Sequence, residues 1–316
     1  MKAAVIEKYG SIDSLRVQEV EKPEPTEDEV RLKVFAASVN PSDLHLIKGK
    51  HFGSRFGKKR RIPGIDVSGM VDAMGPNAMD CSWGDEVYAD LSNHGYGSFA
   101  EYVCVPRSAI ALKPKNLDYI EAACVPYAAT SALQGLVDEG DIFSHRSALI
   151  VGASGGVGHF AVQIAKNYDL QVTGVARTEK LDFVKTLGAD FVLDYTKEDY
   201  MKSDNHYELI FDTAGQRSAF KFRKMLTRDG RYVAIAATAS ALLQTPIIGI
   251  LNNRRVKTFR TRPSTEDLAT LRKLIEKGSV KPNVDKVFSL DEVPQALKYL
   301  ESGQVKGKIA IHVSDG

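Results

Sequence analysis

The chain has 316 residues, which suits two domains of ~100–200 residues each. It is 43% hydrophobic and 26% charged, the composition of a folded globular protein. With 42 Lys and Arg against 40 Asp and Glu the net charge is only +2, so no global field draws the chain onto nucleic acid or an anionic membrane.

The cysteines indicate a reducing compartment, and the apolar stretches predict neither a signal peptide nor a membrane-spanning helix. Cys81, Cys104 and Cys124 are odd in number and form no CxxC pair, which argues against a disulfide framework. Charges near the N-terminus interrupt any signal-peptide core. The apolar stretch 232–251 contains polar residues and Pro246, so a buried strand and loop are expected there rather than a spanning helix. We therefore expect a cytoplasmic protein.

The first third of the chain is predicted to be rich in β-strands. Short apolar runs at 3–6, 30–39, 67–74 and 85–91 are separated by Gly, Pro, Asn and Asp at turn-like intervals. No long helical period occurs before Asp118.

From residue 119 onward, predicted strands and helices alternate. A helical segment (119–139) leads into the apolar run 148–153 and an amphipathic helix (157–169). Further strands are predicted at 170–176, 189–195, 207–215 and 230–238, and helices at 178–188 and 217–227. Each strand is apolar on both faces, which predicts a parallel sheet covered by helices on both sides, an α/β domain.

The last segment changes character again, and we expect it to return to the first domain. After a polar stretch (254–267), helices are predicted at 268–278 and 292–303 and strands at 286–290 and 308–313. The expected domains are therefore 1–121 with 262–316, and 122–261.

A glycine-rich turn between the strand at 148–153 and the next helix predicts a dinucleotide site. The turn comprises Ala153, Ser154, Gly155, Gly156, Val157 and Gly158. Residues without Cβ let several N–H groups point at one anion at a helix N-terminus, and pyrophosphate fits. The spacing departs from GxGxxG because Ala153 comes first, and such turns also occur for structural reasons. Its place within a run of βα units favours the dinucleotide.

The end of the following strand favours NADP(H) over NAD(H). An NAD site places Asp or Glu there, but this chain has Ala176 followed by Arg177, Thr178 and Lys180. The two cations can pair with a 2′-phosphate and the hydroxyl can donate to it. The alternative is a set of solvated charges opening a helix. Tyr195 is expected to flank the adenosine end or to be an ordinary half-buried strand residue.

The chain resembles the zinc-independent, zeta-crystallin-like quinone oxidoreductases of the medium-chain dehydrogenase/reductase superfamily. The matching segments, in order, are MKAAVIEKYG, ASVNPSDLHLIKG, IPGIDVSGMV, GDEVYADL, GSFAEYV, VPYAATSAL, VGASGGVG, DGRYVAIA and VKGKIAIHV. The resemblance implies a GroES-like substrate domain built from both ends of the chain and a Rossmann domain in the middle.

The same resemblance implies that no metal is bound. The positions that hold catalytic zinc in related enzymes are occupied here by Asn40, Ile65 and Pro126, which do not form a zinc site. Asp43, His45 and Asp66 are metal-capable and close in sequence, which leaves an improvised site open. His51 and His94 are expected to be surface loop residues.

Without a Lewis acid, the expected acceptor is a quinone or an α,β-unsaturated carbonyl, which needs only hydrogen-bond donors at its developing oxyanion. The resemblance implies that Asn40 lies near the nicotinamide and the substrate carbonyl. It puts His45 where relatives often have tyrosine, and Thr130 at the nicotinamide ribose or ring. Open α/β sheets bind ligands beyond the ends of their strands, and the residues expected there are Thr213, Ala214, Gly215, Ala236 and Ala237. Lys308 resembles a family lysine near the cofactor.

Two other functions stay open at this point. A regulatory or RNA-binding protein on the same fold could use the basic run Lys58–Arg61, flanked by Phe52, Arg55 and Phe56. A solvated loop explains that run more simply, because four charges neutralise few phosphates. A zinc alcohol dehydrogenase would contain stoichiometric metal. A homodimer is expected because relatives often dimerise.

Overall fold

A computed structural model describes residues 1–49, 61–78, 81–235 and 256–315. The strands are β1 (Lys2–Ile6), β2 (Leu15–Glu19), β3 (Glu29–Val39), β4 (Asp66–Met74), β5 (Glu86–Asp90), β6 (Tyr102–Pro106), β7 (Ile110–Leu112), β8 (Ser147–Val151), β9 (Gln171–Ala176), β10 (Phe191–Asp194), β11 (Tyr207–Asp212), β12 (Leu226–Ile235), β13 (Val256–Phe259), β14 (Val284–Ser289) and β15 (Lys308–His312). The α-helices are α1 (Pro41–Ile47), α2 (Tyr119–Ala123), α3 (Pro126–Leu136), α4 (Gly158–Asn167), α5 (Leu181–Thr186), α6 (Ala219–Phe222), α7 (Thr265–Glu276) and α8 (Val293–Glu301). Short 3-10 turns lie at Ile12–Ser14, Arg107–Ala109, Ile142–Ser144, Thr178–Lys180, Tyr200–Lys202, Arg223–Met225 and Leu290–Glu292.

The chain forms two compact units. Unit 1 comprises Met1–Tyr127, Pro263–Glu276 and Pro282–Gly316. Unit 2 comprises Ala128–Arg262 and Lys277–Lys281.

Unit 1 is built on a mostly antiparallel sheet. Its strands lie in the order β14-β15-β3-β4-β5-β7, and β6 also pairs with β3. Only β14 and β15 run parallel, while β1 and β2 form a separate antiparallel pair. Strand β15, near the C-terminal end of the sequence, pairs antiparallel with β3. This pairing explains why the C-terminal segment belongs to unit 1. The predicted β-rich character is confirmed.

Unit 2 contains a six-stranded parallel sheet in the order β10-β9-β8-β11-β12-β13. Helix α4 connects β8 to β9, α5 connects β9 to β10, and α6 lies between β11 and β12. The central strands are almost wholly buried, as continuous apolar runs require when both faces are covered. The predicted parallel α/β sheet is confirmed. Because β9 and β11 lie on opposite sides of β8, the strand order reverses there, which is where such sheets bind ligands.

Two predicted helices differ from the structure, and one observed helix was not predicted. The single helix predicted at 119–139 is two helices, because Pro126 cannot continue a helix through Val125. The helix predicted at 217–227 is only α6 and a 3-10 turn, and β12 already begins at Leu226. Helix α1 was not predicted, because its seven residues are too few to show a period.

Part of the apolar stretch 232–251 lies outside the described residues, from 236 onward. Across the ranges that the structure does describe, no helix has the length and apolarity needed to cross a membrane.

Candidate active site

The glycine turn of unit 2 lies between β8 and α4, at the point where the strand order reverses. Gly152 adopts φ +79°, and a Cβ on Gly158 would lie 2.1 Å from the carbonyl oxygen of Gly152. Both positions therefore require glycine. The N–H of Gly155 donates to Gly152 O at 3.0 Å. Within the described part of the chain, the N–H groups of Gly156 and Val157 donate to no backbone carbonyl, so they can serve an anion.

The two residues that follow Gly152 in the turn are buried. Ala153 is fully buried, and its N–H donates to Val175 O on β9 at 3.1 Å. Ser154 is 7% exposed. The turn is therefore a close-fitting cradle that fits a pyrophosphate group.

The structure brings Arg177, Thr178 and Tyr195 together at the ends of β9 and β10. The N–H of Tyr195 donates to Ala176 O at 3.2 Å, and the Tyr195 side chain is exposed. The Arg177 side chain is 40% exposed, and its Nε lies 3.4 Å from a carboxylate oxygen of Glu179. Lys180, by contrast, is buried at 7% exposure. Of the two predicted phosphate-binding cations, Arg177 is thus the accessible one.

An acidic residue that the sequence analysis missed holds Thr178. The Thr178 hydroxyl donates to Asp194 Oδ2 and lies 3.0 Å from the hydroxyl of Thr196. Burial would raise the pKa of Asp194, but hydrogen bonds from Thr178 and Thr196 outweigh it and lower the pKa to about 2. The carboxylate is therefore ionised at neutral pH. The prediction that Thr178 donates to a 2′-phosphate is therefore wrong for this arrangement, because the single hydroxyl proton of Thr178 is already given to Asp194.

The turn after β11 lies directly against the glycine turn. The Thr213 hydroxyl donates to Val151 O at 2.8 Å, and a Cβ on Gly152 would lie 2.7 Å from this hydroxyl oxygen. Ala214 and Gly215 follow in the same turn, with Gly215 at φ +61°. Ala236 and Ala237 lie outside the described residues.

Thr130 of α3 carries a buried hydroxyl that lacks a hydrogen bond within the described residues. The residue is 1% exposed. Its neighbours Ser131 and Gln134 do find partners, at Thr261 Oγ1 (2.6 Å) and Arg262 O (2.8 Å). A buried polar atom without a partner costs ~1–3 kcal/mol, so a ligand that bonds to Thr130 recovers that cost.

In unit 1, Asn40 and Lys308 form one buried network with Asp66. The Lys308 ammonium donates to Asn40 Oδ1 at 2.6 Å, to Asp66 Oδ2 at 3.2 Å and to Val39 O at 3.3 Å. The Asn40 amide donates to Asp66 Oδ2 at 2.9 Å and to Ser38 O at 3.3 Å. Lys308 is 3% exposed, and its three protons all have acceptors. Both amide protons of Asn40 are likewise used.

Two further carboxyl groups are buried near this network. Burial and the charge of Asp66 raise the pKa of Asp43 to about 8, despite N–H bonds from Asn40 (2.8 Å) and Gly64 (3.1 Å). Burial and Asp66 also raise the pKa of Asp90 to about 7. One oxygen of Asp90 accepts from Ser92 N at 2.8 Å, and the other lacks a partner among the described residues. Asn40, Asp43, Asp66 and Lys308 were each named from the sequence, but their meeting with Asp90 was not predicted, because strand pairing creates it.

The metal-related positions have these surroundings. Ile65 is a fully buried core residue, Pro126 begins α3, and His45 is half-buried in α1. His94 is half-buried, and burial lowers its pKa. No group of three or more His, Cys, Asp or Glu side chains in the described ranges could hold a metal ion. His51, Phe52, Arg55, Phe56 and the first three residues of the run Lys58–Arg61 lie outside those ranges.

Comparison with known proteins places this architecture in a family. Residues 26–115 match the alcohol dehydrogenase GroES-like domain, and residues 187–311 match a family described as zinc-binding dehydrogenase. The 2-methylene-furan-3-one reductase of Solanum lycopersicum is 36% identical, over 99% of this chain and 79% of the relative. The chloroplastic NADPH-dependent alkenal/one oxidoreductase of Arabidopsis thaliana has the same identity and coverage.

The solved structures agree with this assignment. The quinone oxidoreductase from Coxiella burnetii superposes with a TM-score of 0.90 at 27% identity, over 99% of each chain. The GroES-like and Rossmann domains expected from the sequence motifs are thereby confirmed. The chain belongs to the quinone oxidoreductase-type branch of the medium-chain dehydrogenase/reductase superfamily.

Proposed function

We propose that the chain is an oxidoreductase that uses NADPH to reduce quinones or α,β-unsaturated carbonyls. The observation that carries the proposal is the glycine turn at the reversal point of the parallel sheet, with Arg177 and no carboxylate directly following β9. The names of the relatives, an alkenal/one oxidoreductase and a furanone reductase, support the acceptor class. When bound, NADPH supplies a hydride.

Arg177 is the residue that selects the 2′-phosphate. Its Nε is buried and has no hydrogen-bond partner among the described residues, and its ion pair at 3.4 Å is with a Glu179 side chain that is 73% exposed, so the pair contributes only ~0–1 kcal/mol. Arg177 therefore exchanges this partner for a phosphate at little cost. Lys180 is too buried to bind the phosphate without a rearrangement of its side chain. Tyr195, at the end of the neighbouring strand β10, provides an exposed ring.

The preference for NADPH is tested with Arg177→Ala. The ratio of kcat/KM for NADPH over NADH should fall about tenfold, the loss of one charge-assisted hydrogen bond. Lys185→Ala is the matched control, because Lys185 is an exposed cation paired with Asp182 on α5. Equal use of both nucleotides by the wild type would contradict the role of Arg177.

The reaction proceeds without zinc in this proposal. Three residues occupy the positions where related enzymes hold zinc. Asn40 has an amide whose groups are already hydrogen-bonded, Ile65 is a buried hydrocarbon side chain, and the third residue is Pro126. This residue set does not fit a zinc ion. Activity is therefore expected to survive chelation, and metal analysis should find less than stoichiometric zinc. Stoichiometric zinc with loss of activity on chelation would overturn this part of the proposal.

The residues near the reacting groups have separate tasks. Thr130, whose buried hydroxyl has no hydrogen-bond partner among the described residues, offers that hydroxyl to the cofactor, and the turns at Gly156 and Thr213 orient the cofactor. Asn40, with both amide protons used within unit 1, holds its strand end in place beside the substrate carbonyl rather than donating a free proton. We assign the proton that completes the reduction to His45, since imidazole can donate near neutral pH.

The function is tested by following NADPH oxidation with a 2-alkenal, a simple quinone and the saturated ketone or aldehyde of the same carbon skeleton. The conjugated acceptors should be reduced and the saturated ones should not, because the latter need stronger carbonyl polarisation. Equal turnover of saturated carbonyls would contradict the proposed acceptor class.

We further propose a homodimer in the cytoplasm. A reducing compartment agrees with three cysteines that form no disulfide among the described residues, and of these Cys81 and Cys124 are buried. Light scattering after size exclusion tests the assembly, and imaging of a tagged full-length chain tests the location. A monomer, or an organellar signal, would contradict the respective statement.

A further inference from the structure

The turn after β11 owes its shape to a buried aspartate. Asp212 is the last residue of β11 and is 1% exposed. Its Oδ1 accepts from the N–H groups of both Ala214 and Gly215, each at 2.9 Å. Two bonds from one carboxylate oxygen close the turn and hold Gly215 at φ +61°.

A tyrosine on the neighbouring strand fixes this aspartate. The Tyr232 hydroxyl donates to Asp212 Oδ2 at 2.9 Å, and Tyr232 is 2% exposed. The Tyr232 ring stacks on Phe222 with 5.1 Å between ring centroids. From the other side, Thr213 is tied to Val151 by its N–H (3.1 Å) and by its hydroxyl (2.8 Å). The turn therefore has a single well-defined shape.

The position of the turn in the sheet tells which half of a dinucleotide it serves. The ends of β9 and β10, with Arg177 and Tyr195, lie on one side of β8, and β11 lies on the other side. Given the proposed function, the pyrophosphate lies on the turn after β8 and the adenosine end lies over β9 and β10. The nicotinamide half then extends over β11.

We propose that Asp212, held by Tyr232, is the positioning residue for the nicotinamide half of NADPH. Because Asp212 binds the N–H groups of Ala214 and Gly215, and Val151 O binds the N–H and hydroxyl of Thr213, these donors are already used and the turn keeps its acceptor oxygens for the cofactor. It therefore suits hydrogen-bond donors, such as ribose hydroxyls. This inference rests on the proposed cofactor and adds a residue that does not itself touch it.

The test compares the affinity of each variant for NADPH and for adenosine 2′,5′-bisphosphate, which contains only the adenosine end. Asp212→Ala should weaken NADPH about tenfold, and Tyr232→Phe about threefold to fivefold, which is the range for one or two lost hydrogen bonds. Asp212→Asn keeps the Oδ1 acceptor, so its affinity for NADPH should stay within about twofold of the wild-type value. Bisphosphate affinity should stay at the wild-type value in all three.

The control is Tyr207→Phe, which removes a phenolic hydroxyl from the same core at the opposite end of β11. It should leave NADPH affinity unchanged. Tyr232→Phe keeps the test valid if Asp212→Ala does not fold. Equal loss of NADPH and bisphosphate binding, or unchanged NADPH binding in Asp212→Ala and Tyr232→Phe, would overturn the inference. A wild type that binds no NADPH would instead overturn the proposed function.

Discussion

Asp90 makes the stability of unit 1 depend on pH in an unusual direction. Its pKa is about 7 in the folded chain against a model-compound value of 3.8, because burial and the Asp66 charge penalise the ionised form. Between these two values the unfolded chain releases a proton that the folded chain keeps. The contribution of Asp90 to the free energy of unfolding therefore falls as pH rises from about 4 to about 7 and then levels off. At 1.36 kcal/mol per pH unit, the full effect is on the order of 4 kcal/mol.

Asp90→Asn removes this effect with little change of shape. The amide oxygen still accepts from Ser92 N, and the second position is neutral, as it is in the protonated acid. At pH 4 the variant should match the wild type in urea unfolding, and at pH 8 it should be more stable by ~2–4 kcal/mol. Part of the slope remains, because the pKa of Asp43 is also raised, to about 8.

The matched control is Asp291→Asn, whose side chain is 65% exposed in the same unit. It should leave the pH dependence of unfolding unchanged. If Asp90→Asn has the same curve of stability against pH as the wild type, then Asp90 is not held protonated by its surroundings, and the reasoning about the buried cluster is wrong.

Three other substitutions follow from the geometry. Gly158→Ala places a Cβ 2.1 Å from Gly152 O and should weaken NADPH binding about tenfold or more by titration, whereas unchanged binding would mean that the turn is not the pyrophosphate site. Thr130→Val removes a hydroxyl that has no hydrogen-bond partner among the described residues, so the melting temperature should stay the same or rise. The value of kcat/KM for NADPH should fall about fivefold to tenfold. A lower melting temperature with full activity would refute the assigned role. Lys308→Met leaves Asp66 buried without its ion-pair partner, so the free energy of unfolding in urea should fall by ~3–5 kcal/mol. The double variant Lys308→Met with Asp66→Asn should recover most of this loss. An unchanged free energy of unfolding in the single variant would contradict a stabilising role of the ion pair.

The parallel sheet was predictable because its evidence is local. Strands β8 to β12 each contain a short apolar run followed by a helix-period segment or a turn, and the glycine turn follows the first of them. Strand β13 was not predicted, because it lies within the polar stretch 254–267. The break between α2 and α3 was also visible in principle, since Pro126 restricts Val125. The shortness of α6 was not, because its four residues precede a 3-10 turn without any stop signal in the sequence.

The polar interior of the candidate site could not be predicted, because it depends on strand register. Asp66 faces Ser38 on one neighbour and Asp90 on the other, and Lys308 arrives from a strand some 240 residues later. The same holds for Asp212 and Tyr232, which meet only because β11 and β12 pair. Motif reading found Arg177 and Thr178 but missed Asp194, since a strand-end aspartate carries no local signal of its partner.

The most direct test of the proposed reaction uses NADPH deuterated at the transferable C4 position and an enone acceptor. The saturated carbonyl product should carry one deuterium on the carbon β to the carbonyl. Deuterium on the carbonyl carbon, in an alcohol product, would show that the chain reduces the carbonyl group itself and would contradict the proposed chemistry.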